Sequence, residues 1–154
     1  MTDIIIIICT SLLGFLFGKA YEDRLLEKES LYVNLVDFTS KFKANVSCNR
    51  VLLDDYLKQF FENADGCFVC YSKHFLYGSK LNNKIVSKKE ASYLERFFCG
   101  LKAKSTVELL DHLNYYKTYF SSTLKAVQSD NATKGKIGQK LGLLIGVIVG
   151  LVLI

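Results

Sequence analysis

Proline and tryptophan are absent from the 154 residues, and histidine occurs only twice. Without proline, nothing in the chain forces a long helix to stop. A chain lacking these two residues but rich in Lys, Asn, Ile, Tyr and Phe points to an AT-rich genome. Charge is missing from both ends. All 20 Lys and Arg lie between Lys19 and Lys140, and Asp3 is the one charge outside that interval. The middle therefore carries 20 bases and 14 acids, a net charge of +6. Cysteines number five, Cys9, Cys48, Cys67, Cys70 and Cys99, an odd set with one inside an apolar segment. That does not look like a secreted disulfide framework, and thiols in a reducing cytoplasm are the simpler reading.

What is there divides at the ends. The run Ile4 to Gly18 holds no charge and would reach roughly 22 Å as a helix, extended toward the interfaces by Thr2 and Tyr21. A signal peptide would open on bases, whereas Met1-Thr2-Asp3 offers an acid, so a retained anchor is expected. The closing run from Ile137 to Ile154 would give roughly 27 Å of helix, with Lys140 able to snorkel to the headgroups. Basic flanks stay cytoplasmic, and here they are Lys19 and Arg24 on one side and Lys134, Lys136 and Lys140 on the other. The expected organisation is an N-terminal transmembrane helix over 1–21, a cytoplasmic helical bundle over 22–134 and a C-terminal transmembrane helix over 135–154. Both termini would then lie outside.

Gly138, Gly142, Gly146 and Gly150 recur every four residues, so on a helix they form one bare stripe against which a second helix can pack closely. Gly14 and Gly18 give the first segment one copy of the same spacing. The stripe is expected to pack on the first segment or on another subunit.

Between the ends the period is helical. Leu25, Tyr32, Leu35, Phe38 and Phe42 continue the first helix beyond the membrane. Asn49 is expected to cap a helix that ends near Gly66 and turns Leu52, Leu53, Tyr56, Leu57, Phe60 and Phe61 inward. A short helix follows, with Cys67, Cys70, Tyr71, His74 and Phe75 on one face and Gly78 closing it. Ser87 to Glu90 and Ser105 to Glu108 read as capping boxes. The first opens a helix with Ala91, Leu94, Phe97 and Phe98 inward, ended by Gly100. The second opens one with Leu109, Leu113, Tyr116, Phe120, Leu124 and Val127 on one face, running toward the membrane with a bend at Asp130 to Gly135. The fold class is all-α, a bundle of five or six helices flanked by two membrane helices.

Little chemistry survives this reading. Cys67-x-x-Cys70 with His74 has ligand-like spacing, but a structural zinc site needs a fourth ligand that only Cys48 or Cys99 could supply. Small apolar core residues are the expectation, and the alternative functions are a generic membrane-tethered helical adaptor or a zinc or thiol module at Cys67 and Cys70. His112 is expected to be exposed and has no nucleophile in sequence context. Asp54, Asp55, Glu22 and Asp23 read as solvated helix faces, and Asn131-Ala-Thr133 is a nominal sequon on the cytoplasmic side. Gly135-Lys-Ile-Gly138 leads into a membrane helix, so it is no phosphate loop. The bases are scattered, which argues against nucleic acid and for the nearby lipid leaflet. No enzyme and no cofactor are expected.

The closing segment Lys134 to Ile154, and Leu13-Gly-Phe-Leu-Phe-Gly18 followed by Tyr21 and Arg24, resemble the stage III sporulation protein AB family of endospore-forming bacteria. Length and element order are similar over the whole chain. The interior departs from the family's pattern: Thr-Pro-Leu is missing after the first long helix, and Ser105-Thr-Val-Glu108 stands where Ser-Asp and Gln are expected. The resemblance implies a non-enzymatic scaffold in the channel complex linking mother cell to forespore, related in fold to the inner-membrane platform subunit of type II secretion systems. It implies a hetero-oligomer of membrane subunits, possible contact with a cytoplasmic ATPase, and a bacterial inner membrane on the mother-cell side.

Overall fold

The computed structural model describes residues 2–48, 52–81, 85–102 and 105–152. These form six α-helices: α1 (Thr2–Cys48), α2 (Leu53–Phe61), α3 (Gly66–Tyr77), α4 (Lys88–Gly100), α5 (Thr106–Asp130) and α6 (Lys136–Val152). A π-helical turn, Asn131–Gly135, joins the last two where the sequence predicts a bend. There is no strand among the described residues, and the protein is all-helical. Two compact units result, one from Met1–Glu27 with Ala126–Ile154 and the other from Lys28–Lys125.

In the Lys28–Lys125 unit, α1 buries Leu31, Leu35, Phe38 and Phe42, which follow one another at three or four residues and so line one helical face. Phe38 is the centre of the core. The rings of Phe42, Tyr56, Phe60, Phe68 and Phe97 all stand within 6.3 Å of it, bringing α1, α2, α3 and α4 together. Each such pair adds about 0.5–1.5 kcal/mol beyond its area burial. α5 closes the core with Leu113, Tyr116 and Phe120. Among the described residues Thr39 and Ser72 are buried polar side chains, and each is satisfied inside its own helix: Thr39 Oγ1 donates to the Leu35 carbonyl at 2.6 Å, and Ser72 Oγ to that of Phe68 at 2.8 Å.

The helix ends follow from local chemistry. Ser87 and Glu90 form the full capping box, each accepting the other's backbone N–H, at 3.3 and 2.8 Å. At the start of α5 the Glu108 carboxylate accepts the Ser105 N–H at 3.2 Å. Gly78 ends α3 with φ of 72°, the left-handed conformation that costs glycine least, and its N–H reaches the His74 carbonyl at 2.9 Å.

Several expectations are corrected. Asn49 lies outside the described residues, and the residue capping α2 is Leu52, whose extended backbone enters the helix without any side-chain cap. Leu52 is 72% exposed rather than inward, because it precedes the helix whose buried residues are Tyr56 and Leu57. α2 ends at Phe61 and Gly66 begins α3, so the stretch to Gly66 is not one helix. On α3 the buried face is Phe68, Tyr71, Ser72 and Leu76, offset from the predicted one. Cys67 is half-buried and Cys70 exposed, because the bulkier Phe68 and Leu76 take the core positions.

Candidate functional site: a glycine-packed pair of apolar helices

In the unit built from the two chain ends, the first part of α1 runs antiparallel to α6. Ile7 and Thr10 meet Gly150, Thr10 and Ser11 meet Gly146, Gly14 meets Gly142, and Gly18 meets Gly138. The contact is backbone on backbone. A Cβ on Gly14 would fall on the Gly142 carbonyl oxygen, and a Cβ on Gly142 on that of Gly14. One on Gly146 would lie 2.5 Å from the Thr10 oxygen and 2.7 Å from Ser11 Cα. At Gly150 the nearest atoms would be Thr10 Oγ1 at 2.6 Å and Ile7 Cα at 2.9 Å. Gly138 differs, since a Cβ there would make ordinary contact with Tyr21 Cδ1 at 3.4 Å. Three of the four ridge glycines thus stand where no side chain fits, and each helix offers the other an unobstructed backbone.

The rest of the surface of this pair is apolar. Ile8, Leu12, Leu13, Leu16 and Phe17 of α1, and Leu141, Leu144, Ile145, Ile148 and Val152 of α6, are all exposed. Within the apolar stretch of α1 the hydroxyls of Thr10 and Ser11 are satisfied inside the helix: Thr10 Oγ1 donates to the Ile6 carbonyl at 2.9 Å and Ser11 Oγ to that of Ile7 at 2.7 Å. An environment without water requires that arrangement. Among the described residues one helix is, by length and composition, able to cross a membrane, with its apolar stretch near the N-terminus and little of it covered by protein. Lys140–Val152 is a shorter apolar helical stretch.

Of the flanking bases, Lys19, Arg24, Lys134 and Lys140 are exposed, while the Lys136 side chain lies outside the described residues. Lys134 pairs with Asp130 at 2.7 Å, an i, i+4 contact in which the acid offsets one of the five positive charges. Within the π-helical turn Asn131 donates Nδ2 to the Leu25 carbonyl at 3.4 Å, a tie between α1 and the turn that nothing in the sequence announces.

The candidate ligands of the thiol region are spread along α3. Cys67 and His74 are seven residues apart on α3, roughly 10 Å along the axis, and no group of three metal-ligating side chains occurs among the described residues. His74 Nδ1 instead stands 2.6 Å from the Ser79 carbonyl oxygen, just beyond the end of α3. His112 also departs from expectation. Rather than standing exposed, its ring is half-buried, lies parallel to Phe97 and brings Nε2 to 3.1 Å from the Phe97 carbonyl. Gly100 makes room for it, since a Cβ there would fall on the imidazole.

A dense polar contact in the bundle centres on Glu90. Its carboxylate takes Lys28 Nζ at 2.8 Å, the Tyr32 hydroxyl at 3.2 Å and the Ser87 N–H at 2.8 Å. Burial pushes this carboxyl up, but the hydrogen bonds from Lys28 and Ser87 together outweigh it and hold the group below its usual value. The same burial, with Glu90 beside it, drives the Tyr32 hydroxyl well above the ordinary tyrosine range. Sequence alone gave Glu90 only its capping role; its grip on α1 is visible once the helices are packed.

The chain matches no family model, no curated protein and no solved structure.

Proposed function

We propose that this protein is a non-enzymatic membrane scaffold. The antiparallel pair of α1 and α6 is its anchor, and the Lys28–Lys125 bundle is the surface it offers to other membrane subunits. The observation that carries this reading is the reciprocal backbone contact of Gly14 with Gly142, flanked by apolar side chains turned outward. Close glycine packing supplies van der Waals attraction where lipid removes any hydrophobic force between helices. A cleaved signal sequence has no reason to be packed so closely against a distant segment of the same chain. α6 is on this reading the second membrane helix, and Lys19, Arg24, Lys134, Lys136 and Lys140 put the bundle on the cytoplasmic side.

The more particular role, a subunit of the channel complex between mother cell and forespore, rests on the resemblance of the two terminal segments alone. Its test is photocrosslinking from Val107 and Tyr115, two exposed positions of α5, in sporulating cells. Adducts with the membrane subunits or the ATPase of that complex support the sporulation role. Adducts with membrane proteins of another system refute it and leave the scaffold reading in place. A chain that alkaline washing extracts from membranes would end the scaffold reading itself.

A further inference from the structure

Cys67 is the second residue of α3 and Cys70 the fifth, so the pair falls in the first turns of a twelve-residue helix. Helical geometry sets Cα atoms three residues apart at about 5 Å, inside the roughly 4.4–6.8 Å that a disulfide spans, while their Cβ atoms, roughly 5–6 Å apart on a regular helix, have to close to about 3.5–4.5 Å. Position along the helix matters as much as spacing. The first four N–H groups of a helix have no acceptor within it, so bending the chain at Cys67 disturbs the helical bond its carbonyl accepts but no helical bond that its N–H donates. The same spacing in mid-helix lacks that freedom. Exposure also differs between the two thiols: Cys70 is open to solvent, while Cys67 is half-buried. The outer thiol therefore meets reagents first and the inner one stands one turn behind it. The buried residues of α3 are Phe68, Tyr71, Ser72 and Leu76, and neither cysteine is among them.

We propose that Cys67 and Cys70 are a dithiol–disulfide couple that exchanges with small-molecule disulfides. Cys70, as the thiolate, attacks one sulfur of the incoming disulfide, forming a mixed disulfide and releasing one thiolate. Cys67 then loses its proton to solvent and attacks the Cys70 sulfur, closing the intrahelical bond and releasing the second thiolate. The two cysteines lose two electrons and two protons, and the reagent disulfide is reduced to two thiols. In a reducing cytoplasm the pair rests open and closes on meeting an oxidant of this class.

The experiment uses the full chain in detergent micelles, equilibrated across glutathione redox buffers, quenched by alkylation and mapped by mass spectrometry. The expected result is a Cys67–Cys70 disulfide, appearing under conditions in which Cys48 and Cys99 carry only glutathione or remain thiols. Cys67→Ser should then trap glutathione on Cys70 at several times the native level, while Cys70→Ser should not trap it comparably on Cys67. Glutathione persisting on Cys70 of the native chain to the same extent as on Cys99, or Cys70 bridging to Cys48 or Cys99, would overturn the proposal.

Discussion

If backbone contact holds α1 against α6, alanine substitutions along the ridge should differ in effect by position, although their chemistry is identical. Gly142→Ala puts a methyl onto the Gly14 carbonyl oxygen, and Gly146→Ala puts one 2.5 Å from that of Thr10. Relief at Gly146 requires the helices to part by roughly 0.5–1 Å, a gap that forfeits a quarter to a half of each dispersion contact nearby. Overpacking of this kind costs about 1–3 kcal/mol, against a gain of up to ~1 kcal/mol from alanine's better helix propensity. At Gly138 the methyl meets only Tyr21 Cδ1 at an ordinary 3.4 Å, so the propensity gain stands alone. The assay is energy transfer between dyes on cysteines placed at the exposed residues 5 and 152, in an otherwise cysteine-free chain titrated from mild detergent into SDS. Separation should come at lower SDS for Gly14→Ala, Gly142→Ala and Gly146→Ala, and at native or higher SDS for Gly138→Ala. Equal midpoints for Gly138→Ala and Gly142→Ala would refute the packing argument.

Three further outcomes are expected. Glu90→Ala strips the partner from Lys28, Tyr32 and the Ser87 N–H together, and should destabilise the bundle by about 2 kcal/mol in denaturant titrations, a larger loss than an exposed pair such as Lys41 with Asp37 would cause. Because the Glu90 carboxyl is held below its usual value, its contribution is present above the ordinary carboxylate range and lost as pH falls through the depressed value. Stability of the native chain should therefore decline on acidification more steeply than that of Glu90→Gln. Gly100→Ala should destabilise by about 1 kcal/mol through the clash with His112, and the loss should vanish in a His112→Ala background, a coupling that a double-mutant cycle measures.

Much of this was legible in sequence because the signals are local. Ser87 with Glu90 three residues on, the glycines every fourth residue, and Gly78 at the end of an apolar stretch each specify a backbone requirement that few other residues meet. The start of α2 was not legible, since Leu52 enters the helix on its extended backbone with no side chain to mark it. The face of α3 is not legible from spacing, because the two cysteines read as small core residues, whereas the aromatic cluster around Phe38 draws in Phe68 and leaves Cys70 outside. His112 looked exposed beside Asp111, and only the gap left by Gly100 on a neighbouring helix gives its ring a seat. The tie from Asn131 to the Leu25 carbonyl joins residues more than a hundred positions apart, which no periodicity reveals.

On the proposed function, α1 and α6 anchor the chain with the bundle on the cytoplasmic side. In intact cells, an impermeant thiol reagent should miss a single cysteine placed at residue 82, between α3 and α4, and should label one fused beyond residue 154. Labelling at residue 82 would put the bundle outside and contradict the account.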